Sequence, residues 1–389
     1  MTASRPRWRT ALRALVALLA LGAIVVSVVR IEAPGWPLDM ERIGVGETPV
    51  TVYRLPDAEP APAVVIAHGF AGSRQLMEPI AVSLARHGYV AASFDFRGHG
   101  RNPVPLSGDV TAEDGATRVL QDELARVVAA ARELPGADGR VAVLGHSMAS
   151  DIIVREARAD PDIAATLAIS LFSREVTEEE PRNLFVAVGE WEAFLAEEGR
   201  RVVAMAEPGL APGEVREGVT YGSHADGTAR RLVLADNAEH VAVLYSAETM
   251  GESVAWLDAV FGRGGTVDPE ALDTRGPWIA LLLAGGVALA WPLSALLPRI
   301  GHHRVPPPAS RRALLIACLG PAVATPLLLW PVEIGFLPVL VADYLSVHFL
   351  VYGALTLAAL VWLRVPRPGL PERDLVVATA AASLFAVFA

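Results

Sequence analysis

Along the middle of the chain, short and almost wholly apolar runs at residues 63–67, 90–94, 141–144, 164–169, 184–188 and 232–234 alternate with longer amphipathic stretches. Runs of three to six residues without a polar face are what strands buried on both sides require. The intervening segments 76–87, 116–134, 148–159, 191–206 and 248–261 repeat their apolar positions at helical spacing. Strand alternating with helix predicts an α/β domain, with a mainly parallel sheet covered by helices on both faces.

The two ends of the chain follow another rule. Residues 14–29, between Arg13 and Arg30, are uncharged and strongly apolar, and with Arg13 snorkelling the run at 11–29 is long enough to cross a bilayer. Arg5, Arg7 and Arg9 precede it, and no small-x-small site follows it, so an uncleaved anchor is expected rather than a signal peptide. Past the middle region come apolar stretches at 278–297, 313–332 and 337–363, each long enough to span, and a shorter one at 375–389 that is still apolar where the sequence stops, as in a fragment of a longer chain. The expected organisation is an anchor at 1–30, a soluble domain at 45–264 and a multi-helix membrane domain at 275–389.

Loop charge orients these segments. Arg299, Arg304, Arg311 and Arg312 flank one connection and Arg364, Arg367 and Arg373 another, whereas the connection around Glu333 carries no arginine. With the N-terminal arginines in the cytoplasm, the same parity puts both basic loops inside and the middle domain outside. A bacterial inner (cell) membrane, with the soluble domain on its extracytoplasmic side, is the expected location.

Composition agrees and removes several chemistries. A mean hydropathy of +0.39 is too high for an ordinary soluble globule. The net charge of −10 arises mainly from the middle region, against a nucleic-acid partner. None of the 33 basic residues is lysine, so Schiff-base chemistry, a phosphate-loop lysine and a Ser-Lys pair are all excluded. Cys318 is the sole cysteine, which leaves no disulfide framework and no thiolate cluster, and no His/Cys/carboxylate spacing resembles a ligand set; no metal or organic cofactor is implied.

Ligands of parallel sheets bind beyond the carboxyl ends of the strands, and those ends carry polar, glycine-rich turns here. They read His68-Gly69-Phe70-Ala71-Gly72, Asp95-Phe96-Arg97-Gly98-His99-Gly100, Gly145-His146-Ser147-Met148-Ala149, Gly189-Glu190-Trp191-Glu192 and Asp236-Asn237-Ala238-Glu239-His240. Small residues around Ser147, after a strand and before a helix, permit the sharp turn that presents a nucleophilic serine. Taken alone, the same string also suits a strand-to-helix turn with a capping serine.

Over residues 45–264 the sequence resembles the α/β-hydrolase superfamily, in particular its members with an Asp-x-Arg-Gly-His-Gly turn. The resemblance implies that Ser147 is the nucleophile and His240 its general base, and that the backbone N–H groups of Phe70 and Met148 receive the oxyanion. The acid of such a triad follows the preceding strand, where Gly189-x-x-Glu192 stands; Glu192 is the candidate and Glu190 the alternative, each also suited to a plain helix-start role. His68, Gly69, Asp95 and Gly145 are read as shaping the site, and Asp95 and Arg97 as bracing loops. His68, His99 and His146 lie in turn motifs, and His224 in a polar loop. Ala149 replaces the usual glycine, and the link between residues 169 and 184 leaves no room for a large cap. The pocket should therefore be open, or roofed by 207–228, by Trp191 and Phe194, or by the membrane.

The implied activity is cleavage of an ester, thioester or amide through an acyl-enzyme, on a small-molecule or lipid acyl substrate, with membrane lipid as a neighbour. An acyltransferase would share the same intermediate, and a non-catalytic binding or transport protein with a degenerate hydrolase domain is the alternative from another class. Asp343 and His348, inside the 337–363 stretch, suit either a transport role or simple placement at the interface.

Overall fold

The computed structural model describes residues 7–108, 113–296, 310–334 and 342–365. They fall into two compact units, one within residues 21–286, the other made of residues 7–20, 287–296, 310–334 and 342–365.

In the larger unit, the later part of helix α1 (Arg7–Glu32) leads into a hairpin of β1 (Asp39–Val45) and β2 (Thr48–Arg54). There follow β3 (Ala61–Ala67), α2 (Glu78–Arg86), β4 (Val90–Phe94), α3 (Arg118–Arg132), β5 (Ala137–His146) and α4 (Met148–Ala159). The chain continues through β6 (Ile163–Ile169), β7 (Leu184–Gly189), α5 (Ala193–Ala204), β8 (Thr220–Tyr221), β9 (Arg230–Ala235) and α6 (Ala247–Phe261) to the start of α7 (Gly276–Leu293). All six expected strands are present, at the centre of a nine-stranded sheet in the order β1-β2-β4-β3-β5-β6-β7-β9-β8. β3, β4, β5, β6, β7 and β9 pair in parallel, while β1, β2 and β8 join antiparallel at the edges. This is the α/β-hydrolase fold.

The apolar runs explain the layering. In β3 every residue is buried, and successive side chains go to opposite faces. Ala63, Val65 and Ala67 pack with Leu124 of α3, Ile153 of α4 and Val203 of α5, whereas Val64 and Ile66 pack with Leu84 of α2 and Val254 and Trp256 of α6. Burying a side chain such as Ile66 contributes about 1.5–3 kcal/mol, so truncation there is costly. The edge hairpin escapes a search for apolar runs because β1 is largely exposed.

Connectivity then fixes where chemistry can occur. From β3 the chain moves outward to β4 and returns to β5 on the opposite side of β3, so the strand order reverses between β3 and β5. Loops diverge at such a switch point and leave a crevice beyond the strand ends. The turns after β3 and β5 border that crevice.

The smaller unit contains the first half of α1, the end of α7, and the helices α8 (Arg311–Leu329) and α9 (Ala342–Trp362). Within it α8 and α9 pack together, and the Tyr352 hydroxyl donates to the Cys318 carbonyl at 3.3 Å. Asp343 lies in the first turn of α9, where it accepts the Tyr344 N–H at 2.7 Å. Among the described residues, four helices are long and apolar enough to cross a membrane. The fourth C-terminal stretch, 375–389, lies outside the described residues.

Candidate active site

β5 ends at His146, and Ser147 occupies the turn into α4 with φ 54° and ψ −119°. A non-glycine residue in that region stores backbone strain, which the surroundings must hold. Here the Ser147 N–H donates to the Ile169 carbonyl at 2.9 Å, and the Ser147 carbonyl accepts both the N–H and the hydroxyl of Ser150, at 2.8 and 2.6 Å. Gly145 is obligatory at this turn, since a Cβ there would lie 2.7 Å from the Ala149 carbonyl oxygen. Ala149 is fully buried and fits where the resemblance leads one to expect glycine.

The Ser147 hydroxyl is 2.8 Å from His240 Nε2, and His240 Nδ1 is 2.5 Å from Glu192 Oε1. Nδ1 therefore donates to the carboxylate, which leaves Nε2 free to accept the serine proton. Glu192 Oε2 accepts two further hydrogen bonds, from the Gly189 N–H and the Ser170 hydroxyl, both at 2.8 Å. The Glu192 side chain is only 7% exposed, so this carboxylate is fixed by charge-assisted bonds in a low-dielectric setting. Glu190, the alternative acid, points elsewhere: it is exposed and accepts the Asn237 N–H at 2.9 Å. Ser170 was not legible as a site residue; the only signal was its position directly after β6.

The loop after β3 lies against Ser147. A Cβ on Gly69 would sit 3.0 Å from Ser147 Cβ and from His146 Nδ1, so glycine permits the close approach of this loop to the serine. His68 accepts the Phe96 N–H at Nε2 (3.1 Å) and donates from Nδ1 to the Gly69 carbonyl (2.8 Å), tying this turn to the next one. Burial lowers its pKa from the ordinary 6.5 to about 4, so it is neutral, as those two bonds demand.

His146 has a more specific place than its neighbour position suggested. Its Nε2 donates to the backbone carbonyl of His240 at 2.8 Å, and the two rings lie 4.8 Å apart. Burial lowers the His146 pKa to about 4 as well. It braces the loop that presents His240 and does not itself reach the serine hydroxyl.

Asp95 accepts the Arg74 N–H (2.7 Å) and the Arg101 N–H (3.0 Å) and pairs with the Arg74 guanidinium at 3.0 Å. Gly100, at φ +53°, curls around that carboxylate so closely that a Cβ would lie 2.4 Å from Asp95 Cγ. The Arg97 N–H donates to Glu123 at 2.8 Å, and this fully buried carboxylate also accepts from Thr48 and Asn102, at 2.6 and 3.0 Å. Both acidic groups hold loops together. His224 stands apart from the site, its ring 4.5 Å from that of Trp256.

Ser147 and His240 open into a cavity of about 490 Å³, whose wall includes Met148, Ile152, Phe172 and Leu195 together with Asp151 and Thr117. The size lies within the usual range of small-molecule sites. Segment 207–228, one of the expected roofs, lines none of it; β8 within that segment pairs instead with β9 at the sheet edge. The loops carrying the site residues, together with the first turn of α5, also bear five large apolar side chains, Phe70, Phe172, Trp191, Phe194 and Val241, which are 43–66% exposed. Phe172 and Phe194 meet at 5.8 Å.

Residues 58–181 match the family model described as serine aminopeptidase, S33. No curated protein matches the sequence. Among solved structures, the chain is similar to a CIB-like hydrolase from Thermoplasma acidophilum, at 14% identity and a TM-score of 0.41, over 58% of this chain and 98% of the other. A dienelactone hydrolase from Anabaena variabilis gives 15% identity and a TM-score of 0.39, over 57% and 97%. The sheet gives this chain the α/β-hydrolase fold, and the matched segment, residues 58–181, supports an enzyme of that kind.

Proposed function

We propose that the protein is a membrane-anchored serine hydrolase that cleaves an ester, thioester or amide, with Ser147 as nucleophile, His240 as general base and acid, and Glu192 as the group that orients and stabilises the imidazolium. The observation that carries this is the continuous pair of hydrogen bonds from Ser147 through His240 to Glu192, opening into one cavity.

In the first step the Ser147 oxygen attacks the substrate carbonyl carbon as its proton passes to His240 Nε2. The negative charge moves to the carbonyl oxygen, and the N–H groups of Phe70 and Met148 are the donors assigned to it. Collapse breaks the bond to the leaving group, which takes the proton from His240. Water, deprotonated by the same nitrogen, then attacks the acyl-serine, and Ser147 recovers its proton as the acid departs.

The exposed apolar side chains around the site favour an acyl substrate with a substantial hydrocarbon part, such as a lipid, since a contiguous apolar surface is unfavourable in water unless something covers it. The arginine pattern of the loops supports a position for this domain on the extracytoplasmic side of a bacterial cell membrane. Rapid mixing of the detergent-solubilised full chain with p-nitrophenyl acyl esters tests the reading. A burst of nitrophenol equal to the enzyme present, absent from Ser147→Ala, is expected; steady release with no acyl-enzyme and no effect of Ser147→Ala would overturn it.

A further inference from the structure

A second cavity of about 490 Å³ lies within the larger unit, and none of its lining residues is shared with the cavity at Ser147. One wall is made by Val28 and Ile31 near the end of α1 and by Ile279 and Leu282 near the start of α7. The enzyme domain itself contributes Ser73, Gln75, Leu76 and Tyr245 to the lining.

Its depth can be placed from its neighbours. Arg30 lies over the Trp278 ring at 5.2 Å, which joins the ends of the two apolar helices at one level. Arginine and tryptophan favour the headgroup region of a bilayer, so Val28, Ile31, Ile279 and Leu282, all within one helical turn of that pair, sit where headgroups give way to acyl chains. α1 has length to spare: its 26 residues rise about 39 Å against a hydrocarbon core of about 30 Å. At this level the surrounding lipid supplies hydrocarbon chains, and Val28, Ile31, Leu76, Ile279 and Leu282 give the cavity an apolar part that a chain can fill, beside the polar Glu32, Ser73, Gln75, Tyr245 and Arg275.

Charge does not select the occupant. Arg275 also lines the cavity, but its guanidinium is bound to Asp273 and, at 3.2 Å, to Glu78. Glu32 at the rim would repel an anion.

We propose that this cavity is a lipid site, holding one acyl chain of a neutral bilayer glycerolipid between the ends of α1 and α7 and the enzyme domain. The inference rests on the membrane-spanning reading of α1 and α7, but not on the activity proposed for Ser147. Its position gives it a route to the chemistry. The loop that begins with Gly69 and Phe70 beside Ser147 runs directly to Ser73 and Leu76 at the cavity, and Tyr245 follows His240 by five residues. The occupant therefore supports both loops from behind.

The full chain in phosphatidylcholine vesicles, doped with phosphatidylcholine carrying a diazirine on one acyl chain, provides the test. After irradiation, adducts are expected on the peptides containing Leu76 and Tyr245, which ordinary lipid contact along α1 and α7 would not reach. Val28→Trp with Leu282→Trp should abolish these adducts and leave those on α8 in place. Fluorophosphonate labelling of Ser147 in the same samples reports separately on the active site and on folding. Adducts on α8 with none on Leu76 or Tyr245, adducts there that survive both tryptophans, or a chain that carbonate extracts from the vesicles would each overturn the lipid site. Cavity adducts in a chain whose Ser147 does not label would uphold it and refute the hydrolase reading alone.

Discussion

Glu192→Gln is nearly isosteric, yet the hydrogen bonds around this side chain leave no good place for an amide. Its two oxygens accept from three donors: His240 Nδ1, the Gly189 N–H and the Ser170 hydroxyl. If the glutamine oxygen keeps the bond to His240, its NH2 group faces the Gly189 N–H, a fixed donor opposite a donor. An unsatisfied buried amide costs about 1–3 kcal/mol. The flipped amide avoids this by placing oxygen at Gly189 and NH2 at His240, but Nδ1 must then accept and the imidazole proton moves to Nε2. In that tautomer His240 cannot take the proton of Ser147. Loss of the negative charge adds to the effect, because nothing then stabilises the imidazolium.

The combined expectation is a fall in kcat of about 10⁴-fold, equivalent to about 5 kcal/mol of transition-state stabilisation. KM for a p-nitrophenyl ester should change little. Glu190→Gln is the control: that carboxylate is exposed and meets the Asn237 N–H rather than His240, so activity should stay within about twofold, the scale of exposed polar changes. A Glu192→Gln enzyme retaining more than about a tenth of wild-type kcat would refute the assigned role, since tautomer control alone demands more.

Ser170→Ala removes one of three bonds to the carboxylate and should lower kcat by about tenfold or less, from a bond worth about 1 kcal/mol, as steady-state kinetics will show. Gly189→Ala would place a Cβ 2.6 Å from the Ala238 carbonyl oxygen, displacing the loop before His240; most activity should be lost while circular dichroism keeps its native form. His68 and His146 have folded pKa values near 4, so above about pH 6.5 both are neutral folded or unfolded, and their buried neutral form costs nothing. As pH falls from there towards 4, the unfolded chain gains protons that the folded one refuses; stability should drop by up to about 1.4 kcal/mol per histidine per pH unit. Thermal melts across that range should show the loss, and His146→Gln should reduce its slope. Cys318→Ser with Ala211→Cys should react with a membrane-impermeant maleimide in intact spheroplasts if the enzyme domain lies outside, and only after lysis if it does not.

How far the sequence reveals this arrangement depends on how local each cause is. Strands buried on both faces announce themselves as continuous apolar runs, and the residues just beyond them, Ser147 and His240 among them, inherit their positions from the sheet. Glu192 needs only one strand end and a three-residue offset, and its distinction from Glu190 comes from the turn at Gly189, which folds the longer reach towards His240. The hairpin β1–β2 has mixed polarity because its outer strand faces solvent, so it gives no comparable run. Ser170, Glu123 and the bracing role of His146 depend on partners 21 to 94 residues distant, visible only once the strands are side by side. The segment after α6 is similarly hidden. Polar as it is, it packs Asp273 and Arg275 in the interior, where the Asp273 N–H meets the Ser83 hydroxyl at 2.9 Å.

The central claim, that His240 activates Ser147, is met most directly by treating the full chain with a fluorophosphonate and mapping the adduct by mass spectrometry. A single phosphonyl group on Ser147, lost in His240→Ala while Ser150 and Ser170 remain unmodified, is the predicted result; a folded wild-type protein that takes up no phosphonyl group at Ser147 would contradict it.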